Sequence, residues 1–296
     1  MNPGTETPAQ VRAWPLRART QWLLRRFSLR PRKSLGQSFL VNEGAARRLA
    51  EVAARPGLPL VEIGGGLGAL TVPLAESGWP LAVVEIDAAL VEALRWLLGD
   101  LGHVRVVPGD ALELDWGSLA PRPAVAVGNL PYLSAGAILQ RLWDPAAPFT
   151  EMVVTVQREV AQRLRAQPGT RQWGPLSVLA QVHAERAQVL SELGPGSFLP
   201  PPQVSSTALW LLKRHQPRVA PGEGGRLDLA LRAAFGTRRK TLAASLRAVQ
   251  KLSREQAVSV LQRAGLDPQR RGETLDLDEL NALGTALQAE IVDNDE

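Results

Sequence analysis

The chain has 296 residues, of which 45% are hydrophobic, and it contains no cysteine. This length suffices for one large domain and a smaller one, and the lack of cysteine excludes disulfide bonds, thiolate catalysis and cysteine-based metal sites. No apolar run approaches the roughly 18 residues of a membrane-spanning helix, so we expect no membrane partner. A cytoplasmic location and the lack of a bound metal are further expectations. The formal net charge of +5 favours a polyanionic partner.

The positive charge is concentrated in two segments. Residues 1–32 form a basic N-terminal extension with three open interpretations: a nucleic-acid-binding arm that is disordered until it binds, a solvated tail without a partner, or an organellar transit peptide. Its region from 12 to 33 has no acidic residue and eight basic ones, namely Arg12, Arg17, Arg19, Arg25, Arg26, Arg30, Arg32 and Lys33. The second segment contains Arg232, Arg238, Arg239, Lys240, Arg247, Lys251 and Arg254.

From Leu60 onward, short apolar runs alternate with helical patterns. Strands are predicted at residues 60–63, 81–84, 104–107, 124–127, 152–156, 188–190 and 208–212. Helices are predicted at residues 71–77, 88–98, 158–165 and 176–184. This alternation predicts an α/β fold, in which a parallel sheet is covered by helices on both faces.

A Pro- and Gly-rich stretch at residues 217–225 is typical of a linker. The patterns after it are helical only, at residues 227–235, 239–249, 254–263 and 278–290. We therefore predict a main α/β domain over residues 33–216 and a small all-helical domain over residues 217–296.

A glycine-rich loop follows the first predicted strand. Gly64, Gly66 and Ala69 satisfy the pattern G-x-G-x-x-A, and Glu85 lies 21 positions after Gly64, where a dinucleotide-binding fold carries its ribose-binding acid. The pattern therefore allows an NAD-dependent oxidoreductase. No Tyr-x-x-x-Lys and no His–acid pair supports that chemistry.

Two other acids favour S-adenosylmethionine over NAD. Glu62 precedes the loop, and an acid there suits a cationic sulfonium better than a pyrophosphate. Asp110 follows the third predicted strand and is placed to accept a hydrogen bond from an adenine amino group. Its alternative role is to cap a helix that begins at Ala111.

The tetrapeptide Asn129-Leu130-Pro131-Tyr132 follows the fourth predicted strand, at the sheet edge where α/β proteins bind their ligands. Asn129 supplies an amide oxygen acceptor, and Pro131 removes an N–H and fixes φ. Tyr132, the only tyrosine of the chain, offers a ring for stacking. Together these residue types suit the binding of a flat ring that carries an amino group.

With these motifs in place, residues 33–280 resemble the ribosomal RNA adenine dimethyltransferases, and in particular the type that dimethylates two adjacent adenines near the 3′ end of 16S rRNA. The resemblance implies a Rossmann-like class I S-adenosylmethionine-dependent methyltransferase fold and 16S rRNA, within the small ribosomal subunit or its precursor, as the partner. A monomer is the default expectation. The segments that carry the resemblance are Lys33–Leu40, Val61–Thr71, Val84–Asp87, Gly109–Ala111, Asn129–Tyr132, Phe198–Val204 and Phe235–Leu242.

The resemblance also implies roles for individual residues. The Asn129 side chain and the Leu130 carbonyl would accept the two N6–H bonds of adenine, while Tyr132 and Phe198 would stack on the base. Arg238, Arg239, Lys240 and Arg247 would bind RNA. Contacts with S-adenosylmethionine would come from Ser38, Leu40, Gly64, Glu85, Asp110 and Asn129.

Two positions depart from the family pattern. Ser38 stands where Asn is usual, which predicts a lost or water-mediated hydrogen bond, and Gly65 replaces a common Pro, which predicts a looser loop. Two alternatives share the fold: a large-subunit rRNA methyltransferase of the antibiotic-resistance type, and a non-catalytic assembly or transcription factor. Leu130 and the FGTRRKTL segment at residues 235–242 favour the small-subunit type.

Overall fold

A computed structural model of the chain describes residues 5–32, 35–219, 223–237 and 239–295. The chain forms two compact units. The first comprises Met1–Ala161 and Glu185–His215, and the second comprises Gln162–Ala184 and Gln216–Glu296. Within the described residues, no helix is both long and apolar enough to cross a membrane.

The strands lie in two sheets. In chain order they are β1 (Phe39–Leu40), β2 (Leu60–Ile63), β3 (Leu81–Glu85), β4 (Val104–Pro108), β5 (Ala124–Asn129), β6 (Phe149–Gln157), β7 (Ala184–Leu193), β8 (Phe198–Leu199) and β9 (Ser206–Lys213). Within the described residues, seven strands form the main sheet in the order β4-β3-β2-β5-β6-β9-β7. Strands β1 and β8 pair with each other in a separate sheet.

The main sheet confirms the predicted α/β class but is not purely parallel. Strands β2 to β6 pair in parallel, whereas β9 runs antiparallel to β6. Every residue of β2 and β3 is buried. This fits their nearly continuous apolar sequences, because a strand covered on both faces cannot alternate with polar residues.

The helices of the first unit are α1 (Pro8–Arg12), α2 (Leu16–Arg26), α3 (Glu43–Ala54), α4 (Thr71–Ala75), α5 (Ala88–Leu98) and α6 (Ala135–Trp143), followed by α7 (Arg158–Leu164), which continues into the second unit. Helices α3 to α6 contact strands of the main sheet, and α1 contacts α5. Asn42 and Asp87 cap α3 and α5, since each side chain accepts from a backbone N–H of the first turn. Asp87 thereby fixes where the chain leaves β3.

The described part of the N-terminal extension, residues 5–32, contains two helices, unlike the disordered arm or solvated tail that its composition predicts. Helix α1 begins with a capping box between Thr7 and Gln10. Leu16, Trp22 and Leu23 of α2 are buried in the core of the first unit. A cluster of basic residues indicates disorder only where few apolar residues can be buried, and α2 carries enough of them on one face.

The second unit is helical and contains a part of the chain that we predicted for the α/β domain. It consists of α8 (Pro175–His183), α9 (Gly224–Phe235), α10 (Leu242–Gln250), α11 (Arg254–Arg263) and α12 (Leu277–Asp295). Trp173, which is fully buried, donates its indole N–H to the Leu275 carbonyl at 2.9 Å. The chain therefore enters the helical unit before residue 184 and returns as β7, so a single boundary at residue 217 captures only the second crossing.

Candidate active site

The carboxyl ends of four parallel strands meet at one edge of the sheet and open into a cavity of about 300 Å³. Gly64 follows β2, Glu85 ends β3, Asp110 follows β4 and Asn129 ends β5, and all four line this cavity. The strand order reverses between β2 and β5, which is where open α/β sheets bind their ligands. The topology thus brings together residues that are 65 positions apart in sequence.

Asn129 is oriented by a single hydrogen bond. Its Nδ2 donates to the Ser38 carbonyl at 3.0 Å, which assigns the two ends of the amide. The opposite atom, Oδ1, is buried and has no hydrogen-bond partner among the described residues. Buried acceptors are normally satisfied. The arrangement is therefore that of an acceptor held ready for a donor from a ligand.

The residues after Asn129 form a tight turn. The Leu130 N–H donates to the Thr155 carbonyl at 3.0 Å, and the Ser134 N–H donates to the Pro131 carbonyl at 3.2 Å. The Pro131 carbonyl is therefore engaged within the turn. The Leu130 carbonyl is the backbone acceptor directly after Asn129, and its role towards the adenine amino group stays a prediction.

Tyr132 lines the cavity and is held by its hydroxyl group. Its Oη lies 2.7 Å from the Ser206 Oγ at the start of β9. Burial raises the pKa of Tyr132, and the hydrogen bond with Ser206 acts in the opposite direction. The phenol therefore stays neutral at physiological pH, and its partly buried ring is fixed at the cavity wall.

Glu85 binds the glycine loop and still has acceptor capacity. Its two carboxylate oxygens accept from the Gly66 N–H at 2.9 Å and from the Asp87 N–H at 3.0 Å. Burial raises its pKa, while these N–H groups lower it. A carboxylate has about four acceptor positions, so two remain for a ribose diol. This fits S-adenosylmethionine.

Asp110 caps a turn and not a helix. Its Oδ1 accepts from the Leu112 N–H at 2.8 Å, and the following residues form turns up to a short 3-10 helix at Trp116–Ser118. Because only Oδ1 is used in this hydrogen bond, the second carboxylate oxygen is able to accept from an adenine amino group. The geometry fits the predicted role.

Glu62 does not have the role that we predicted for it. It is 1% exposed, it does not line the cavity, and its Oε2 has no hydrogen-bond partner among the described residues. Burial raises its pKa to about 8; the nearby Thr71 hydroxyl lowers it, and Glu85 raises it further. Glu62 is therefore largely protonated at neutral pH and supplies no negative charge to a sulfonium.

The glycine loop is tightly packed at Gly65, and the looser loop expected from the missing proline stays a prediction. A Cβ at this position would lie 2.3 Å from Val83 Cγ1 and 2.9 Å from Leu94 Cδ1. Cβ atoms in proteins essentially never lie closer than 3.0 Å to a neighbouring heavy atom of this kind. The side chains of Val83 and Leu94 occupy the space that a larger residue would need.

Ser38, Leu40 and Phe198 meet beside the cavity rather than all within it. Ser38 lines the cavity, but its hydroxyl donates to the Pro200 carbonyl at 2.8 Å. Its contribution to the site is the backbone carbonyl that orients Asn129. Leu40 pairs with Phe198 between β1 and β8, and neither side chain lines the cavity.

The proline-rich surroundings of Phe198 predict that it lies on an exposed loop, but the structure buries it. It is 1% exposed and its ring is part of the core of the first unit. Stacking on a base stays a prediction for this residue, and it requires the loop at residues 198–204 to open.

Two residues at the cavity were not singled out from the sequence. Gln37 donates to Asp87 Oδ2 at 2.9 Å and thus fixes the segment before β1 against the end of β3. Leu133 lines the cavity and is 79% exposed. Leu133 follows the tetrapeptide Asn129–Tyr132, but a single leucine carries no sequence signal for exposure.

The predicted RNA-binding residues lie in the second unit. Arg239 and Lys240 precede α10, Arg247 lies within it, and all three are exposed. Arg238 lies outside the described residues.

Comparison with known proteins places the chain in one family. Residues 28–282 match the family model described as "Ribosomal RNA adenine dimethylase". The ribosomal RNA small subunit methyltransferase A of Anaeromyxobacter dehalogenans (strain 2CP-C) is 42% identical over 277 residues, which cover 90% of this chain and 96% of the relative. Its namesake from Pelotomaculum thermopropionicum is 41% identical, with 90% and 94% covered.

Solved structures agree in fold. A dimethyladenosine transferase from Plasmodium falciparum superposes with a TM-score of 0.67 at 21% identity, covering 85% of this chain and 98% of that one. The 23S rRNA methyltransferase ErmE superposes with a TM-score of 0.59 at 24% identity, covering 84% and 99%. The family match decides between the two cofactors that the glycine loop allows. The chain belongs to the ribosomal RNA adenine dimethylase family and is an S-adenosylmethionine-dependent methyltransferase.

Proposed function

We propose that the chain transfers methyl groups to N6 of two adjacent adenines near the 3′ end of 16S rRNA, giving dimethyladenosines in the small ribosomal subunit. The relatives that are 41–42% identical over 90% of the chain carry the name of a small-subunit enzyme. The observation that carries the chemistry is the buried, partnerless Oδ1 of Asn129. Such an acceptor at the end of a cofactor cavity suits a donor N–H of the substrate.

The protein's contribution to this reaction is placement. The adenine amino group is a weak nucleophile because its lone pair is delocalised into the ring. Asn129 Oδ1 and the Leu130 carbonyl accept its two N–H bonds and turn the lone pair towards the methyl group. S-adenosylmethionine supplies that methyl on a good leaving group. These hydrogen bonds strengthen as the nitrogen becomes positive, which stabilises the transition state.

The remaining site residues hold the two reactants. The Tyr132 ring stacks on the extruded base, and such stacking contributes about 1–3 kcal/mol per base. Glu85 accepts from the ribose and Asp110 from the adenine of the cofactor. No dedicated base is required, because the methylated aryl-ammonium group loses its proton readily to water.

RNA binding involves the second unit. Arg239, Lys240 and Arg247 are exposed cations that suit phosphate groups, and Arg238 belongs to the same sequence cluster. The proposal also includes a cytoplasmic location, which suits a ribosomal substrate, and action as a monomer, which is the default expectation.

The test is transfer of labelled methyl to small ribosomal subunits that lack the modification, with mature small subunits and large subunits as controls. We expect label only in the unmodified small subunit, recovered as N6,N6-dimethyladenosine. Label in the large subunit would assign the chain to the resistance-type enzymes. Cofactor binding without any transfer would indicate a non-catalytic assembly or transcription factor.

The mechanism is tested with Asn129→Ala in the same assay. We expect the rate of transfer to fall by at least about 10²–10³-fold, the usual effect of removing one such group, while binding of S-adenosylmethionine stays measurable by calorimetry. Asn281→Ala, in α12 of the second unit, is the matched control and should transfer at the wild-type rate. Retained activity of Asn129→Ala would refute this mechanism.

A further inference from the structure

The N-terminal extension is held rigidly by cations that point into the protein. The Arg12 guanidinium donates to both carboxylate oxygens of Asp100, at 2.6 and 2.7 Å, and to the Leu97 carbonyl at 2.6 Å. Arg19 is 4% exposed and donates to the carbonyls of Arg12 and Gly68, at 2.9 and 3.2 Å. These contacts attach α1 and α2 to helix α5 and to the end of the glycine loop.

Aromatic residues complete this attachment. The rings of Trp14 and Trp22 meet edge to face at 5.6 Å, and Trp96 of α5 lies 5.4 Å from Trp22 and 5.9 Å from Phe27. A flexible nucleic-acid arm would need none of these contacts. The extension is therefore a preformed surface whose conformational entropy is already lost before any partner binds.

Other cations of the same segment point outward. Arg25, Arg26 and Arg30 are exposed, and within the described residues none of them has a carboxylate at ion-pair distance. Residues 7–42 contain no acidic residue at all. The dipole of α2 favours cations in its last turn, which accounts for Arg25 and Arg26 in part. It does not account for Arg30, which lies beyond the helix.

One end of this surface lies beside β8, and its other, C-terminal end leads towards the cavity of the candidate active site. Arg17 starts an exposed stripe with Gln21 and Arg25, spaced four residues apart on one face of α2, and it donates to the Gly196 carbonyl at 3.0 Å, just before β8. At the other end, Arg30 is five residues from Leu35, which lines the cavity. Its Cα is therefore at most about 18 Å from that of Leu35.

We propose that Arg25, Arg26 and Arg30 bind phosphates of the substrate RNA next to the adenine that enters the cavity. This rests on the proposed function. The Arg26 guanidinium lies 5.5 Å from the Phe27 ring centroid, and within the described residues none of the three cations is neutralised by a carboxylate. Such cations on an ordered helical support suit the regular negative charge of a nucleic-acid backbone. The extension thus acts as part of the substrate-binding surface, in addition to the cations of the second unit.

The test is the triple variant Arg25→Gln/Arg26→Gln/Arg30→Gln. Binding to unmodified small subunits is measured by co-sedimentation between 50 and 200 mM KCl, and methyl transfer is measured in parallel. Each phosphate contact contributes about 0.7–0.9 to the slope of log K against log salt. We expect the slope to fall by about 2 and affinity at 100 mM to fall roughly 100-fold, with binding of S-adenosylmethionine unchanged.

The matched control is Arg48→Gln/Arg55→Gln/Arg186→Gln, which removes the same charge from exposed positions of the first unit outside the extension. Its slope should stay within experimental error of the wild type. Equal loss in both variants would overturn the proposal, because general electrostatic attraction would then suffice. A triple variant with unchanged affinity and salt slope would overturn it as well.

Failure of the proposed function gives a different result. In that case the wild-type protein transfers no methyl group to small subunits, whatever the extension does. Suppose instead that the wild type transfers methyl groups and the triple variant keeps the wild-type salt slope. This result would refute the role of the extension and leave the proposed function standing.

Discussion

The glycine loop after β2 and the turn after β5 occupy equivalent places at the sheet edge, but they form the site in opposite ways. Both follow adjacent parallel strands, in which Glu62 lies opposite Val127. The loop has no room for a Cβ at Gly65 and presents its backbone to the cavity. The turn presents one side-chain oxygen, on Asn129, and its orientation depends on one hydrogen bond. Substitutions in the loop should therefore affect folding first, whereas those in the turn should affect the reaction first.

The largest expected effect in the loop region is the dependence of stability on pH at Glu62. Because its folded pKa, about 8, lies above the unfolded value of 4.5, the folded state holds a proton that the unfolded state has released between these values. Stability must then fall as pH rises through this window. At 1.4 kcal/mol per pH unit, the loss between pH 5 and pH 8 is about 3–4 kcal/mol.

Glu62→Gln, which cannot ionise, should remove this loss. Urea denaturation at pH 5, 6.5 and 8 measures the free energy of unfolding of both proteins, and the difference between them isolates Glu62 from the other carboxylates. Glu92→Gln, at an exposed position of α5, should leave the wild-type pH dependence intact. Parallel pH profiles for wild type and Glu62→Gln would show that Glu62 ionises in the folded protein.

Gly65→Ala should cost about 2–3 kcal/mol of folding free energy, near the upper end of the range for overpacking. Its methyl group would lie 2.3 Å from Val83 Cγ1, on a β-branched side chain that cannot easily turn away. The double variant Gly65→Ala/Val83→Ala should therefore be more stable than the sum of the two single changes predicts, by at least about 1 kcal/mol.

Chemical denaturation of the four proteins measures this coupling. Gly136→Ala in α6 is the control, because no atom lies within 4 Å of a Cβ there and alanine favours a helix over glycine by about 0.5–1 kcal/mol. Additive effects of Gly65→Ala and Val83→Ala would mean that the loop relaxes around the new methyl group. The lack of space at Gly65 would then not be what separates the loop from the turn after β5.

The comparison also explains which features could be predicted from sequence. Glu85, Asp110 and Asn129 were found because each ends or follows an apolar run, and parallel strands bring such ends to one edge. Helices α5 and α11 have the predicted bounds of 88–98 and 254–263, since periodic apolar spacing fixes them locally. Asn129 could be identified as a site residue from the sequence alone, because it directly follows the apolar run of β5.

The features that local sequence patterns did not predict depend on packing between segments that are distant in sequence. Helix α2 was not predicted because its ordering depends on Trp96 of α5 and on the Gly68 carbonyl, which are distant in sequence. The neutral state of Glu62 depends on burial that no motif records. Phe198 became buried through pairing with a remote segment, β1, although its proline-rich neighbourhood predicts exposure.

The smallest expected effect concerns the hydroxyl group of Tyr132, and it separates positioning from stacking within the turn. Tyr132→Phe keeps the ring and removes only the contact with Ser206, which is worth about 0.5–1.5 kcal/mol net. We therefore expect kcat/KM for methyl transfer to fall less than about 10-fold, since 1.4 kcal/mol corresponds to a factor of ten. Tyr132→Leu loses the stacking as well and should fall by a further factor of about 5 to 150.

Steady-state methyl transfer to unmodified small subunits gives both values, and calorimetric binding of S-adenosylmethionine checks that the cavity is intact. Ser206→Ala, which removes the other partner of the same hydrogen bond, should reproduce the mild effect of Tyr132→Phe. If Tyr132→Phe were as damaging as Tyr132→Leu while Ser206→Ala stayed mild, the phenol oxygen would itself contact the reacting amine. The turn would then act through two side-chain oxygens, Asn129 Oδ1 and Tyr132 Oη, and the orientation of a single amide would no longer account for it.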